Sequence, residues 1–94
     1  MNRDEFVEKI KNGLDDLNGK IDQLEEKSKS ASEGLKEEYR QQLTKLKDKR
    51  AATQEKLKNL RESGGEAWKE LQGGLENAFK DLKEAFSKAK NRFE

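Results

Sequence analysis

The sequence contains no cysteine, no histidine and no proline, and only six of its 94 residues are aromatic. Without cysteine there is no disulfide and no thiol nucleophile, and without histidine there is neither an imidazole base nor the usual ligand set of a zinc site. The serine hydroxyls therefore have no base to activate them. We expect a protein that is not an enzyme and that holds no cofactor and no metal ion.

Apolar residues are also scarce, and no apolar run is longer than two residues. Such a sequence has neither a membrane span nor the apolar segment of a signal peptide, so we expect a cytoplasmic protein. Hydrophobic residues make up 30% of the chain and charged residues 44%. This is a thin core for a single domain of residues 1–94. We therefore expect a second chain to add apolar contacts, in a homo-oligomer or with a helical protein partner.

The apolar residues that are present recur at steps of three and four, which is the spacing of a heptad seam on a helix and not of a strand. The first seam consists of Ile10, Leu14, Leu17, Ile21 and Leu24. The second seam consists of Leu35, Tyr39, Leu43, Leu46, Leu57 and Leu60, and it contains an eleven-residue stutter. Residues 28–34 between the two seams are poor helix formers, which predicts a break.

Three capping boxes divide the chain into helices, at Asn2 with Glu5, at Ser30 with Glu33 and at Ser63 with Glu66. Gly64 and Gly65 suit the end of the second helix. The sequence therefore predicts an all-α fold with helices at about 3–28, 33–62 and 66–93, arranged as an antiparallel three-helix bundle. The alternative is one helix over residues 3–62, about 90 Å long, in a coiled coil with helix 66–93 folded back.

The last third of the chain contains an eleven-residue repeat, since GEAWKELQGGL at residues 65–75 aligns with ENAFKDLKEAF at residues 76–86. Eleven residues make almost three helical turns, so the repeat builds one long apolar stripe. The stripe consists of Leu60, Trp68, Leu71, Leu75, Phe79, Leu82, Phe86 and Phe93. We interpret it as a core face; the alternatives are a lipid surface and a groove on a partner protein. The net charge of residues 66–94 is zero, which disfavours anionic lipid.

Charge is divided unevenly between the first two predicted helices. Residues 1–35 hold nine acids and six bases, whereas residues 36–61 hold nine bases and four acids. Bases flank the second apolar seam on both edges, with Arg40, Lys47 and Lys58 on one edge and Lys45, Lys49 and Lys56 on the other. Such positions select partners, and we expect the basic helix to pair with the acidic first helix, within the chain or in a dimer. Nucleic acid is not expected as a partner, because Tyr39 is the only aromatic residue in this segment.

Two further groups of residues have simple structural explanations. Glu33, Glu37 and Glu38 lack the Glu-x-x-His partner that di-iron helical sites need, so we assign no metal to them. Gly73 and Gly74 are not followed by the Lys-Ser or Lys-Thr of a phosphate loop. We explain these two glycines by close helix packing or local flexibility.

Three segments carry a resemblance to a known family: NRDEFVEKIKNGLDDLNGKIDQLEEK at the start, EEYRQQLTKLKDKRAATQEKLKNLR in the middle and the GEAWKELQGGLENAFKDLKEAFSKAKNRF tail. Together they resemble small bacterial coiled-coil-domain proteins, some of which are described as stress-response proteins. The resemblance implies a bacterial, helical, non-enzymatic protein without a defined site. We therefore expect a self-associating structural or interaction protein linked to stress tolerance. The alternative is a peripheral lipid-binding protein that uses the eleven-residue repeat on a membrane surface.

Overall fold

A computed structural model describes residues 2–93, which form three helices joined by short turns. Helix α1 spans Arg3–Lys29, α2 spans Glu33–Glu62 and α3 spans Trp68–Phe93. Because the connections are three and five residues long, consecutive helices run antiparallel and pack side by side. The predicted all-α, three-helix bundle is confirmed, and residues 3–62 do not form one continuous helix. Met1 and Glu94, at the limits of the predicted domain 1–94, lie outside the described residues.

The turn between α1 and α2 differs from the predicted capping box. The side chain of Asn2 caps α1 as expected, accepting a hydrogen bond from the Glu5 amide at 2.8 Å. Ser30, predicted to cap the second helix, instead ends α1, and its amide donates to the Lys27 carbonyl at 3.2 Å. Ser32 takes the N-cap position of α2, where its carbonyl accepts from the Lys36 amide at 2.9 Å. The capping residue is therefore Ser32 and not Ser30, while α2 itself begins at Glu33 as predicted.

At the turn between α2 and α3 the helix start itself differs from the prediction, since α3 begins at Trp68 and not at residue 66. The Ser63 hydroxyl donates to the Leu60 carbonyl at 2.6 Å, so Ser63 closes α2 and does not cap α3. Gly65 has φ 57°, in the left-handed region that glycine adopts without steric cost. The guanidinium of Arg3 donates to the Ser63 carbonyl at 2.6 Å, which fastens the start of α1 to this turn.

The core consists of the apolar stripes of all three helices. Its buried hydrophobic residues are Phe6, Val7, Ile10, Leu14, Leu17, Ile21, Leu24, Tyr39, Leu43, Leu46, Leu57, Leu60, Trp68, Leu75, Leu82, Phe86 and Ala89. Thr53 fills the gap in the second seam, and its hydroxyl donates to the Lys49 carbonyl at 2.7 Å, so no polar group is left unsatisfied there. One chain thus buries most of its large apolar side chains without a second copy.

Aromatic contacts close the bundle at both ends. The rings of Phe6 and Trp68 lie 6.3 Å apart, beside the turn between α2 and α3. At the opposite end the rings of Tyr39 and Phe93 stack with centroids 3.8 Å apart. The resulting rod measures 52 × 18 × 17 Å. None of the helices in residues 2–93 is long and apolar enough to cross a membrane.

Replacing Glu33 by proline tests the break between α1 and α2. Glu33 is the first residue of α2 and follows Ser32, whose backbone is extended at φ −65° and ψ 160°. Proline is favoured at this position and requires an extended residue before it. We expect the Glu33→Pro protein, at low protein concentration, to unfold at the wild-type denaturant midpoint. In a continuous helix the same change would cost about 3 kcal/mol.

Glu37→Pro is the matched control, because residue 37 lies inside the helix in either arrangement. Urea denaturation followed by circular dichroism measures both variants. Equal destabilisation by the two prolines would contradict the break at residues 30–32.

Candidate functional site

A groove runs between α1 and α3, because these two helices pack less extensively against each other than either packs against α2. It contains two cavities of about 700 and 390 Å³. Both volumes lie in the range of small-molecule binding sites, roughly 300–1,000 Å³. We call this feature the α1–α3 groove. The apolar residues that line it are Phe6, Ile10, Leu17, Leu24, Phe79 and Phe86, and all of them except the half-buried Phe79 belong to the buried core.

The rim of the α1–α3 groove is mainly positive. Its charged residues are Lys9, Lys20, Lys27, Lys80, Lys83, Lys88, Lys90, Glu76 and Glu84. Lys83 and Ser87 line both cavities and so mark the point where the two meet. The Lys83 ammonium lies 5.4 Å from the centroid of the Phe79 ring, within the range of a cation–π interaction. The lysines of α1 were not among the predicted site residues, although Lys9, Lys20 and Lys27 are eleven and seven residues apart and therefore share one side of the helix.

Gly13 determines how deeply the Phe79 ring enters the groove. A Cβ atom at position 13 would collide with the far edge of this half-buried ring. Glycine therefore allows α1 to approach α3 with the ring lying against its backbone. Gly73 and Gly74 are different, because an added Cβ at either would meet no atom within 4 Å. Close helix packing, one of the two explanations offered for this pair, is therefore wrong.

The apolar stripe predicted from the eleven-residue repeat divides into three groups. Leu60, Trp68, Leu75, Leu82 and Phe86 are buried, and Phe79 and Phe93 are half-buried. Leu71 is 41% exposed, so it does not belong to the core. It lies one and two heptads before Ala78 and Ala85, which are half-buried at the margin of the core. The buried face of α3 thus follows Trp68, Leu75, Leu82 and Ala89 at heptad spacing.

The two basic edges of α2 face different neighbours, although all six of their side chains are exposed. Arg40 and Lys47 line a cavity with Glu25 of α1, whereas Lys45 and Lys49 line one with Asp81 and Glu84 of α3. Lys47 pairs with Glu25 at 2.6 Å, and Arg40 pairs with Glu37 of its own helix at 2.7 Å. Within residues 2–93, no ion pair involves Lys45, Lys49, Lys56 or Lys58.

The Glu25–Lys47 pair joins the acidic helix α1 to the basic helix α2. The hydrogen bond from Lys47, together with its positive charge, lowers the pKa of the Glu25 carboxyl below its usual range. Arg50 adds a contact between the same helices, since its guanidinium lies 3.5 Å from the Asn18 side-chain oxygen. Ion pairing between these helices is therefore concentrated at Glu25, although the charge difference extends along both segments.

The three glutamates at the start of α2 do not form a cluster. Arg40 donates to both carboxylate oxygens of Glu37 and so lowers the pKa of that carboxyl. Arg92 of α3 donates to both oxygens of Glu38, at 2.8 and 3.0 Å. Glu33 lies 3.6 Å from the Lys36 ammonium. Among residues 2–93, no three acidic side chains gather into a group that would hold a metal ion.

Comparison with known proteins adds no assignment to this geometry. The chain matches no protein-family model, no curated protein and no solved structure. The α1–α3 groove is therefore interpreted from its own residues.

Alanine at Gly13 tests the contact with Phe79. In the middle of an exposed helix surface, glycine to alanine stabilises by about 0.5–1 kcal/mol, and Gly19→Ala should show this gain because nothing lies within 4 Å of its new methyl group. We expect Gly13→Ala to show no such gain, since the Phe79 ring must move. Adding Phe79→Leu should restore part of the difference in a double-mutant cycle measured by urea denaturation. Equal gains at positions 13 and 19 would contradict the contact.

The Glu25 pKa provides a test of the α1–α2 pairing. Because it lies below the unfolded-state value, the pair stabilises the fold above the ordinary carboxyl pKa and loses this effect as the pH falls through the lowered pKa. We expect Lys47→Gln to return the Glu25 pKa, measured by NMR titration, towards its usual range. Lys29→Gln is the control and should change it less, because Lys29 acts on Glu25 only through its charge. A larger effect at Lys29 would contradict the pairing.

Proposed function

We propose that this chain is a non-enzymatic interaction protein, which acts by binding at the surface of its helical bundle. The α1–α3 groove carries the proposal, because it combines the half-buried Phe79 ring with charged side chains along its rim. Concave apolar surfaces with a few polar groups are the usual places where proteins bind ligands. The absence of catalysis rests on the sequence, which supplies no imidazole and no thiol.

Self-association is part of this proposal and takes a specific form. Since the stripes of Leu46, Leu60 and Leu82 are fully covered within one chain, a second copy would reach them only by exchanging a helix. The connection at residues 30–32 is Ser-Ala-Ser, with no proline to prevent helix formation. Straightening it would give the 3–62 helix and would place α1 on the partner chain. Such exchange reuses the contacts of the single chain, which makes it an inexpensive route to dimers.

Sedimentation equilibrium over a range of protein concentrations tests this form of self-association. We expect wild type to show a monomer–dimer equilibrium and Glu33→Pro to remain monomeric, because proline cannot occupy the interior of the straightened helix. Glu33→Ala is the matched control and should dimerise like wild type. Dimers of the proline variant would contradict helix exchange, and a wild type that is monomeric at every concentration would contradict self-association.

The resemblance to small bacterial coiled-coil-domain proteins supports two wider proposals. We propose a role in bacterial stress tolerance, because some members of that group are described as stress-response proteins. We also propose a cytoplasmic location, because the given sequence has no apolar run longer than two residues. Both proposals concern the setting in which binding takes place, and neither depends on the occupant of the groove.

Lipid binding is the second candidate function, and the lysine rim of the α1–α3 groove favours it. In the lipid-binding alternative drawn from the sequence, the apolar stripe of α3 inserts into a membrane surface. Trp68, Leu75 and Leu82 are buried against the other helices, so this insertion would require α3 to leave the bundle. Binding of one lipid-like molecule in the groove would require no such opening.

A further inference from the structure

Leu35 is a large apolar residue that the bundle leaves in contact with water. Within residues 2–93, only Leu35 and Leu71 are large apolar residues that stay exposed, at 43% and 41%. Single exposed leucines are common on protein surfaces, so exposure alone carries no function. The position of Leu35 is more informative, because it is the third residue of α2 and directly follows the connection at residues 30–32.

In a continuous helix, Leu35 would extend the apolar seam of α1. After Leu24, the last leucine of that seam, steps of four, three and four residues lead through Ala31 to Leu35, and four more lead to Tyr39. Leu35 lies eleven residues after Leu24, which is a rotation of only about 20° around the helix axis. Straightening residues 30–32 would therefore join the first and second seams into one stripe with Leu35 in line.

The contacts between α1 and α2 locate the centre of an exchanged dimer. Glu25 pairs with Lys47, and the Arg50 guanidinium lies against Asn18. Residue 36 is midway between the first two partners, and residue 34 is midway between the second two. In an exchanged dimer these contacts form between two antiparallel chains, and the twofold axis passes where a helix meets the same residue of its partner. That point lies at about residue 35.

We propose that Leu35 packs against Leu35 of a second copy of this chain, across the twofold axis of the exchanged dimer. This inference rests on the proposed helix exchange, which places α1 of one chain on α2 of the other. The exchanged contacts already exist within a single chain, so they do not by themselves favour the dimer. The contact at Leu35 exists in the dimer alone, and it removes from water a side chain that the single chain leaves exposed.

Sedimentation equilibrium of Leu35→Ala tests whether this contact favours the dimer. We expect the variant to dimerise at least about tenfold more weakly than wild type, because each of the two chains loses most of a buried side chain. Leu71→Ala is the matched control, since Leu71 is equally exposed but lies on α3, and it should dimerise like wild type. At low protein concentration the two variants should unfold at similar urea midpoints, because both leucines are exposed in the single chain.

A single cysteine tests the position of the twofold axis directly, because the sequence contains no other cysteine. With oxidised glutathione as the oxidant, Leu35→Cys should form disulfide-linked dimers faster than Leu71→Cys at the same concentration. A disulfide requires two Cα atoms within about 7 Å of each other, which the axis provides at residue 35. Adding Glu33→Pro should slow Leu35→Cys to the rate of Leu71→Cys, because proline prevents the straightened helix. Equal rates for the two single-cysteine variants would overturn the proposed contact.

The same measurements separate this inference from the proposed self-association. If wild type and Leu35→Ala dimerise equally while Glu33→Pro stays monomeric, helix exchange stands and the Leu35 contact is wrong. If wild type is monomeric at every concentration and Leu35→Cys is linked no faster than Leu71→Cys, both are wrong. Weaker dimerisation of Leu35→Ala, together with rapid cross-linking at position 35, supports both.

Discussion

Burial of three apolar stripes against one another is the interaction on which the rest of this structure depends. A chain in which 44% of the residues are charged has no other means of building a core. A single helix cannot bury its own apolar stripe. In a pair of helices, one side of each stripe would still be exposed to water. The third helix closes the core, and the two turns follow from the need to bring α3 back alongside α1 and α2.

The same constraint distributes the charges. When each stripe faces inward, the charged residues that flank it lie along the seams between helices. Charged side chains from two neighbouring helices therefore meet at each seam. At the α1–α2 seam the acids of α1 meet the bases of α2, and Glu25 pairs with Lys47. At the α1–α3 seam lysines come from both helices, so this seam is mainly positive. Charges of opposite sign thus meet at one seam and charges mostly of one sign at the other.

The spacing of apolar residues along the sequence predicted the features that depend on this spacing alone. The number of helices, their lengths and most of the core follow from the spacing of Leu, Ile and Phe, because a helix presents every third or fourth residue to the same side. The caps at Ser30 and Ser63 were placed wrongly, since the turn geometry decides which serine meets which amide. Leu71 was included in the stripe because the repeat treats all eleven-residue positions as equivalent, whereas the core follows heptad spacing through Trp68 and Leu75.

The positive charge of the α1–α3 groove could not be predicted from the net charge of one helix. The net charge of residues 66–94 is zero, yet the fold turns Lys80, Lys83 and Lys90 towards α1 and leaves Asp81 on the side of α2.

The rod is about three times longer than it is wide, so each layer of the core touches only the layers beside it. Separation of the Tyr39–Phe93 stack therefore leaves the Phe6–Trp68 contact in place. We therefore expect the two ends of the rod to open independently, each at a lower cost in free energy than the core layers between them.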